Sequence, residues 1–375
     1  MDDSLWRHLP PEIIYLILSH LPVRSLCRFK CVCPKWKSLI SSPEFSKTHL
    51  HINKPQNQKA LLLSRGSDDL YAVDLTCTNP TAEKLCSVPA DQFGSRRGRV
   101  SPPCDGLVFV HGESYEFLVL LNPFTSEFKR LPKPPFSDSD LETVVCGLGY
   151  DSCTDDYKVL IVQVADCEGA VYSLRTGTDA WSRIRFEYNT FLASQFGVYL
   201  NNRLHWVCLN WVCADSDIHS DVHVAAFDFS DEFFRKIQLP EDLFDNLQMV
   251  ILRGCLGLIH FIDTVYAIDV WVMNEYGVTE SWTKFSISNP LLHVDRVLCL
   301  LPEDVFVVST YERDSHRSQL FLYNPEMAKV KAMIVPRIPT TFIFLGNSVE
   351  TLVSPYHGGE IMGPSEASSS GSGSA

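Results

Sequence analysis

The chain has 375 residues, of which 45% are hydrophobic and 21% charged, and its formal net charge at pH 7 is −13. This composition is ordinary for a globular protein longer than one average domain. The acidic balance argues against a general nucleic-acid-binding protein, because neutralising phosphates requires clustered Lys and Arg. We find no secretory signal pattern and no apolar run long enough to cross a bilayer. Thirteen irregularly spaced cysteines indicate a reducing compartment, so we expect a cytoplasmic or nuclear protein that binds no membrane.

Residues 1–50 are predicted to form a small all-α domain of short helices that begin at prolines. Pro10 and Pro22 suit the first turn of a helix, where the missing N–H would be unpaired anyway. Ser42 is a predicted N-cap, with Pro43 after it at the first helical position. Apolar residues recur at helical spacing through the segment. Three-turn helices cannot hide such a stripe, so we expect it to pack against another protein.

The order of landmarks in this segment resembles the F-box, the module by which substrate receptors dock onto a Skp-type adaptor in SCF ubiquitin ligases. The landmarks are Leu9-Pro10, Glu12, Leu21-Pro22, Val32-Cys33, Trp36 and Leu39-Ile40. Pro34 departs from the family pattern, and we expect it to start the third helix. An ordinary helical subdomain packed on the rest of the chain is the alternative. The resemblance implies adaptor contacts by Leu9, Pro10, Ile13, Ile14, Ile17, Leu18, Leu21, Pro22, Leu26, Val32, Cys33, Trp36, Leu39 and Ile40.

The same segment is basic within an acidic chain. Arg24, Arg28, Lys30, Lys35 and Lys37 lie between its apolar landmarks. A basic face would suit an acidic adaptor, chiefly by steering the encounter.

From about residue 55 the pattern changes to short alternating strands that recur roughly every 50 residues, a period in the range of propeller blades. Each unit offers about four strands, which is the content of one blade. We therefore predict a six-bladed β-propeller over residues 51–357, closed by pairing of its N- and C-terminal strands, since closure removes exposed sheet edges. Coincidentally spaced β-sandwiches are the alternative. Residues 358–375 are rich in Gly and Ser and are predicted to form a flexible tail.

Motifs along this region resemble the kelch-like F-box-associated domain of plant F-box proteins. They include Cys104-Asp105-Gly106-Leu107, Leu121-Asn122-Pro123, Gly147-Leu148-Gly149-Tyr150-Asp151, Thr154-Asp155-Asp156-Tyr157-Lys158-Val159 and Val198-Tyr199-Leu200-Asn201-Asn202-Arg203-Leu204-His205-Trp206. Within that family the chain is similar to the group that contains S-locus F-box proteins and their non-S relatives. Most of these motifs indicate structure: the aspartates suit turns, and Trp206, Trp271 and Trp282 are expected to pack between blades.

The sequence carries no catalytic, phosphate-binding or dinucleotide motif, and we expect no cofactor. Cys31 and Cys33 lack a second pair at zinc spacing, and we expect no metal there. Cys208 and Cys213 near His205 and His219 form the other Cys/His cluster that could bind a metal.

By resemblance, the chain is a non-catalytic receptor that recruits a cullin and a RING protein through the adaptor. It would hold a target for ubiquitination and proteasomal degradation; for an S-locus type protein, the target would be a pistil ribonuclease in pollen self-incompatibility. The alternatives are a scaffold that binds the adaptor without promoting ubiquitination, or a propeller enzyme. Target recognition is expected on at least one of the four longest loops between strands, residues 90–103, 133–143, 210–221 and 312–318. Trp211 with Asp215, Asp217 and Asp221 combines an aromatic anchor with clustered acid, a pairing suited to a basic partner.

Overall fold

Four short helices make up the N-terminal part of the chain. They are α1 (Pro11–Ser19), α2 (Val23–Phe29), α3 (Pro34–Ile40) and α4 (Pro43–Asn53). Pro34 occupies the first turn of α3, as predicted, and the Ser42 side chain accepts the backbone N–H of Phe45 at the start of α4. Pro10 and Pro22 stand one residue earlier than predicted, at the N-caps of α1 and α2. We call this part, residues 9–54, the helical domain; α4 continues past the predicted boundary at residue 50.

The computed structural model describes most of the chain between residues 9 and 356. The described ranges are 9–54, 58–95, 97–113, 115–136, 144–163, 168–175, 179–185, 191–192, 194–214, 217–240, 243, 246–262, 267–288, 294–312 and 314–356. The tail predicted at 358–375 lies outside them.

After the helical domain the described chain forms six antiparallel sheets, or blades. Blade I contains β1 (Gln58–Ser64), β2 (Asp69–Val73) and β3 (Ala82–Ser87), and blade II contains β4 (Gly98–Val100), β5 (Val108–Gly112), β6 (Leu118–Asn122) and β7 (Glu127–Arg130). Blade III contains β8 (Val144–Asp151), β9 (Asp156–Gln163), β10 (Glu168–Ser173) and β11 (Trp181–Arg185), and blade IV contains β12 (Phe191–Leu192), β13 (Val198–Leu200), β14 (Arg203–Ala214), β15 (Asp217–Asp228) and β16 (Phe233–Ile237). Blade V contains β17 (Leu247–Leu252), β18 (Cys255–Ile262), β19 (Ala267–Met273) and β20 (Trp282–Ser288), and blade VI contains β21 (Val294–Leu301), β22 (Val305–Glu312), β23 (Arg317–Asn324) and β24 (Lys329–Met333). The last strand, β25 (Phe342–Val349), returns to blade I.

The return of β25 closes the ring. It pairs antiparallel with β1, from Gln58↔Val349 to Ser64↔Phe342, and supplies the inner strand that blade I lacks. An apolar cluster fills the space between every two neighbouring blades, including the pair formed by blades VI and I. The predicted six-bladed propeller closed by its terminal strands is confirmed.

Because neighbouring strands are antiparallel, successive turns alternate between the two faces of the propeller. The chain leaves α4 and enters β1 at one face, which we call the helical face. The β6–β7 and β8–β9 turns lie at that face, and Phe124 of the first turn packs against the helical domain together with Leu352, which follows β25. The opposite face, the distal face, carries the β1–β2 turn (65–68) and the β22–β23 turn.

Turn aspartates behave as the sequence predicts. Asp151 ends β8, where its carboxylate accepts the backbone N–H of Cys153 at 2.9 Å and pairs with the Lys158 ammonium at 2.8 Å. Lys158 also donates to the backbone carbonyl of Phe229 in blade IV. Burial alone would raise the pKa of Asp151, but hydrogen bonds from Lys158, Thr154 and the Cys153 N–H bring it below its ordinary value. The pair therefore stabilises both the turn and the contact between blades.

We predict that truncation at residue 335 yields insoluble protein, because the loss of β25 exposes the edge of β1 and opens the ring. A control chain ending at residue 358 keeps all described strands and is expected to melt at the same temperature as the full chain. Calorimetry and a solubility assay compare the two. A soluble, cooperatively melting product of the shorter chain would contradict ring closure as a requirement for folding.

Asp151→Asn is expected to lower the free energy of unfolding by about 3 kcal/mol, because it leaves the buried Lys158 ammonium without its charge partner. The pKa of Asp151 is lowered in the folded state, so its contribution is present above the ordinary carboxyl pKa of about 4 and is lost as the pH falls through the folded-state value. The variant should therefore lose less stability than the wild type on acidification. Urea titrations between pH 7 and pH 3 measure this. Asp231→Asn, which removes an exposed pair with Arg235, is the control and should cost less than about 1 kcal/mol.

Candidate adaptor-docking and target-binding surfaces

A stripe of large apolar side chains lies exposed along α1. Ile13, Leu16 and Ile17 are 42%, 53% and 46% exposed, and Leu9 just before the helix is 37% exposed. Residues three and four apart lie on one side of a helix, so the three form a continuous apolar surface. Val32, in the turn between α2 and α3, is 62% exposed. Exposed apolar surface of this kind is typical of a site that another protein covers.

Five residues of the predicted adaptor set are half-buried. Trp36 packs on Phe29 with ring centroids 5.4 Å apart. The other half-buried residues from the predicted adaptor set are Ile14, Leu21, Cys33 and Leu39. All of them keep some accessible surface, and all except Cys33 also pack against the helical core.

Three residues of the predicted adaptor set are core residues instead. Leu18, Leu26 and Ile40 are 2%, 0% and 0% exposed, and they pack with Phe45 and Leu352. Periodicity alone could not separate the two sides of such short helices, since both carry apolar residues. Leu16 was missed for the same reason, although its spacing of three from Ile13 is a signal that it belongs to the exposed stripe.

Ion pairs seat the helical domain on the helical face of the propeller. Lys54 at the end of α4 lies 2.6 Å from Asp105, whose side chain is 8% exposed. Burial tends to lower the pKa of Lys54, but the charge and hydrogen bond of Asp105 raise it overall. Lys47 pairs with Asp155, and hydrogen bonds from Lys47 and Tyr150 lower the pKa of that carboxyl. Two ion pairs therefore connect α4 with the helical face of the propeller.

Part of the basic charge of the helical domain belongs to this junction. Arg24 pairs with Glu83, and Lys30 lies 3.9 Å from Glu127. The charge of these two residues is therefore partly compensated within the chain, although the Arg24 side chain remains exposed. The remaining basic residues of the predicted set, Arg28, Lys35 and Lys37, are exposed.

Two family descriptions match the chain and together cover nearly all of it. The F-box domain matches residues 6–48, and the F-box associated beta propeller domain matches residues 45–355. This chain is a member of the F-box proteins with an F-box-associated propeller. An F-box/kelch-repeat protein of Arabidopsis thaliana is 32% identical over 339 residues, covering 85% of this chain and 88% of its own. The F-box protein CPR1 of the same plant is 31% identical over 319 residues, covering 75% of this chain and 73% of its own.

Among solved structures, a chain of the nidogen/laminin complex aligns with a TM-score of 0.46 and 9% identity, over 78% of this chain and 98% of that chain. The likeness is too distant to inform function. The F-box and the associated propeller together indicate the general role of substrate recognition in an SCF ligase, and such proteins are typically non-catalytic subunits. No helix among the described residues is long and apolar enough to cross a membrane.

The predicted target-binding residues fall on a β-ribbon of the F-box-associated propeller rather than on a loop. The backbones of β14 and β15 stay paired from Asn210↔Asp221 to Ala214↔Asp217, with Trp211 opposite Ser220. In the described chain neither neighbouring strand pairs with this outer part, so the ribbon extends past the rest of blade IV. It points to the distal face, away from the F-box. Asp215 lies outside the described residues.

The structure describes only part of the Cys/His cluster, because the side chains of Cys213 and His219 lie outside the described residues. His205 is fully buried, and its two ring nitrogens contact the Val198 carbonyl at 3.1 Å and the Tyr276 hydroxyl at 2.6 Å. Burial lowers the pKa of this histidine to about 4. Its role is to join blade IV to blade V, and no group of three or more metal-ligating side chains occurs in the described part of the chain.

The tryptophans predicted to pack between blades do so to different degrees. Trp206 is fully buried between blades III and IV, and Trp282 is 8% exposed between blades IV and V. Trp271 is half-buried at the edge of the apolar cluster between blades IV and V, with the Lys284 ammonium 5.5 Å from its ring centroid. The prediction is confirmed for the first two residues.

We expect Ile13→Asp combined with Ile17→Asp to weaken binding of a Skp-type adaptor by about 2 kcal/mol or more, because both charges enter the centre of the apolar stripe. Trp36→Ala should cost a similar amount. Calorimetric titration of the adaptor measures affinity, and thermal melting checks that the variants fold.

Ile334→Asp is the matched control, because this side chain is 84% exposed on the propeller and should leave adaptor affinity unchanged. If the double variant melts normally and binds the adaptor with wild-type affinity, the α1 stripe is not the docking site.

Proposed function

We propose that this chain is the substrate-recognition subunit of an SCF-type ubiquitin ligase that directs its target to ubiquitination and proteasomal degradation. The F-box binds a Skp-type adaptor and, through it, a cullin and a RING protein. The propeller binds the target. The chain supplies no nucleophile, and its contribution to the reaction is to hold the target close to the ubiquitin-charged enzyme. This function places it in the cytoplasm, the nucleus or both.

The observation that carries this proposal is the arrangement of the two surfaces. The apolar stripe on α1 is exposed, whereas the other side of the F-box packs on Leu352 and Phe124 at the helical face, beside the Lys54–Asp105 and Lys47–Asp155 pairs. Adaptor and target would therefore bind at opposite ends of the folded chain, the adaptor on the F-box and the target at the distal face. A flexible junction would spread the target over many positions and lower its effective concentration at the ligase.

The residues proposed to bind the adaptor fall into three groups according to the exposure of their side chains. We propose direct contacts for the exposed set, which is Leu9, Pro10, Ile13, Leu16, Ile17, Pro22 and Val32. Trp36, Ile14, Leu21, Cys33 and Leu39 would contribute through their accessible edges and by supporting the exposed set. The buried core residues act only through the shape of the F-box.

Target recognition is proposed for the β14–β15 ribbon, with Trp211, Asp215, Asp217 and Asp221 suited to a basic partner. The net charge of −13 supports this choice. The resemblance to S-locus F-box proteins makes a basic pistil ribonuclease, and a role in pollen self-incompatibility, the specific form of this proposal. For a non-S relative the target is another protein.

The competing function is a scaffold that binds the adaptor without promoting ubiquitination. Affinity purification with mass spectrometry from cells with and without a proteasome inhibitor separates the two. A ligase subunit recovers adaptor and cullin in both cases and accumulates its target only when the proteasome is inhibited. A scaffold recovers the same partners with no change in target abundance.

We predict that exchanging residues 210–221 with the matching segment of a relative of different specificity changes the recovered target, while adaptor affinity stays the same. The physical reason is that this ribbon extends past blade IV on the distal face, away from the F-box. Exchange of the β23–β24 turn (325–328), which lies on the helical face, is the matched control and should preserve both interactions. If the ribbon exchange leaves the target unchanged, recognition lies elsewhere on the propeller.

A further inference from the structure

The blades surround a central channel with a volume of about 1190 Å³. At the helical face its wall includes the Lys54–Asp105 ion pair and Arg253, which lies 2.8 Å from Asp304. The charges at that end are therefore compensated. The distal end of the same channel is different.

Four arginines line the channel on segments that meet at the distal face. Arg97 and Arg99 lie before and within β4, near the end of that strand which faces away from the F-box. Arg65 begins the β1–β2 turn, and Arg296 lies in the first half of β21. We call this set the arginine mouth.

No ion pair to any of the four occurs among the described residues, although Arg97 lies close enough to Asp68 for its charge to act on that carboxyl, whose pKa burial nevertheless raises. Arg65 lies over the ring of Tyr311, 5.6 Å from its centroid, and Arg99 donates to the Gln195 side-chain oxygen at 2.9 Å. Both interactions are with neutral groups. Arg296 is half-buried, and no ion pair with it occurs in the part of the chain that the structure describes.

The lining near the arginine mouth includes two carboxylates, Asp68 and Glu113, against four guanidinium groups. The local balance is positive in a chain whose net charge is −13. A concave site lined by one sign of charge focuses the electrostatic field and concentrates ions of the opposite sign. Guanidinium groups also bind carboxylate and phosphoryl groups in bidentate fashion.

We propose that the arginine mouth binds an acidic segment of the target polypeptide, through carboxylate or phosphoryl groups. This inference rests on the proposed substrate-recognition function and names a second contact with the target. A target with a basic overall charge can still present an acidic segment, so the ribbon and the mouth would act separately. A polypeptide fits better than a nucleic acid, because a long polyanion would also meet the acidic remainder of the chain.

The test uses the full chain bound to its Skp-type adaptor. Fluorescence anisotropy measures binding of labelled octaglutamate, a peptide with four phosphoserines, octalysine and an eight-nucleotide single-stranded oligothymidylate. The variant is Arg99→Gln with Arg296→Gln. Its control is Lys329→Gln with Lys331→Gln, which removes the same charge from exposed positions on outer strand β24.

We expect the double arginine variant to weaken octaglutamate or phosphoserine-peptide binding by about tenfold or more, the size expected for lost charge-assisted hydrogen bonds, with no change for the lysine control. The stronger of these two probes identifies the source of the anion. Equal loss in both variants, no binding of either acidic peptide, preferential binding of octalysine, or oligothymidylate binding as tight as that of the peptides would overturn the proposal. Adaptor affinity measured in the same samples reports on the F-box function separately, so the two hypotheses can fail independently.

Discussion

The pairing of β25 with β1 is the interaction on which the rest of the structure depends. It supplies the inner strand of blade I and brings together the two ends of the propeller segment, from Gln58 to Val349. Bringing together strands this distant in sequence costs conformational entropy, and the cost falls once the intervening blades have formed. The ring should therefore close late and cooperatively. Its closure also removes the two sheet edges that would otherwise invite aggregation.

The same strand leads directly to the seat of the F-box. Glu350, the residue after β25, pairs with Lys59 and accepts the backbone N–H of Val23 at 3.4 Å. Leu352 then enters the core of the F-box, and Asn122 of blade II donates to the carbonyls on either side of it, at Thr351 and Val353. The strand that closes the ring therefore leads directly into the residues that contact the F-box. Removal of the F-box would expose Leu352 and Phe124, so the two domains are not independent in stability.

A family motif gains a physical explanation at this junction. Gly106, in the Cys104-Asp105-Gly106-Leu107 motif, has φ of +85°, and a Cβ there would lie 2.6 Å from the carbonyl oxygen of Val349. Only glycine permits both the conformation and the close approach. The neighbouring Asp105 forms an ion pair with Lys54 of the helical domain. The motif therefore serves the contact between the ring closure and the F-box rather than a ligand.

The sequence predicted the repeat, the blade count and the closure, because strand alternation and turn residues are local and recur six times. It could not separate the two sides of the F-box helices, where Leu18 and Ile17 are adjacent, similar in chemistry and opposite in exposure. It also predicted a loop at residues 210–221, since polar residues in that segment suit solvent as well in a two-stranded ribbon as in a turn. The backbone pairing of β14 with β15 makes this segment a ribbon. Such pairing depends on the register between the two strands, which a single segment of sequence does not show.

The two faces of the propeller differ in whether their charged side chains have partners within the chain. At the helical face, carboxylates such as Asp105 and Asp155 lie opposite lysines of the F-box, so their charges stabilise the fold and are not available to a partner. At the distal end of the channel, Arg65 and Arg296 have only neutral or distant neighbours in the described chain. A charge that lacks an internal partner contributes little to folding but retains its full attraction for an external one. Under the proposed function, the paired charges at the helical face would serve stability and the unpaired arginines at the distal face would serve recognition, so a target would be held without disturbing the F-box junction.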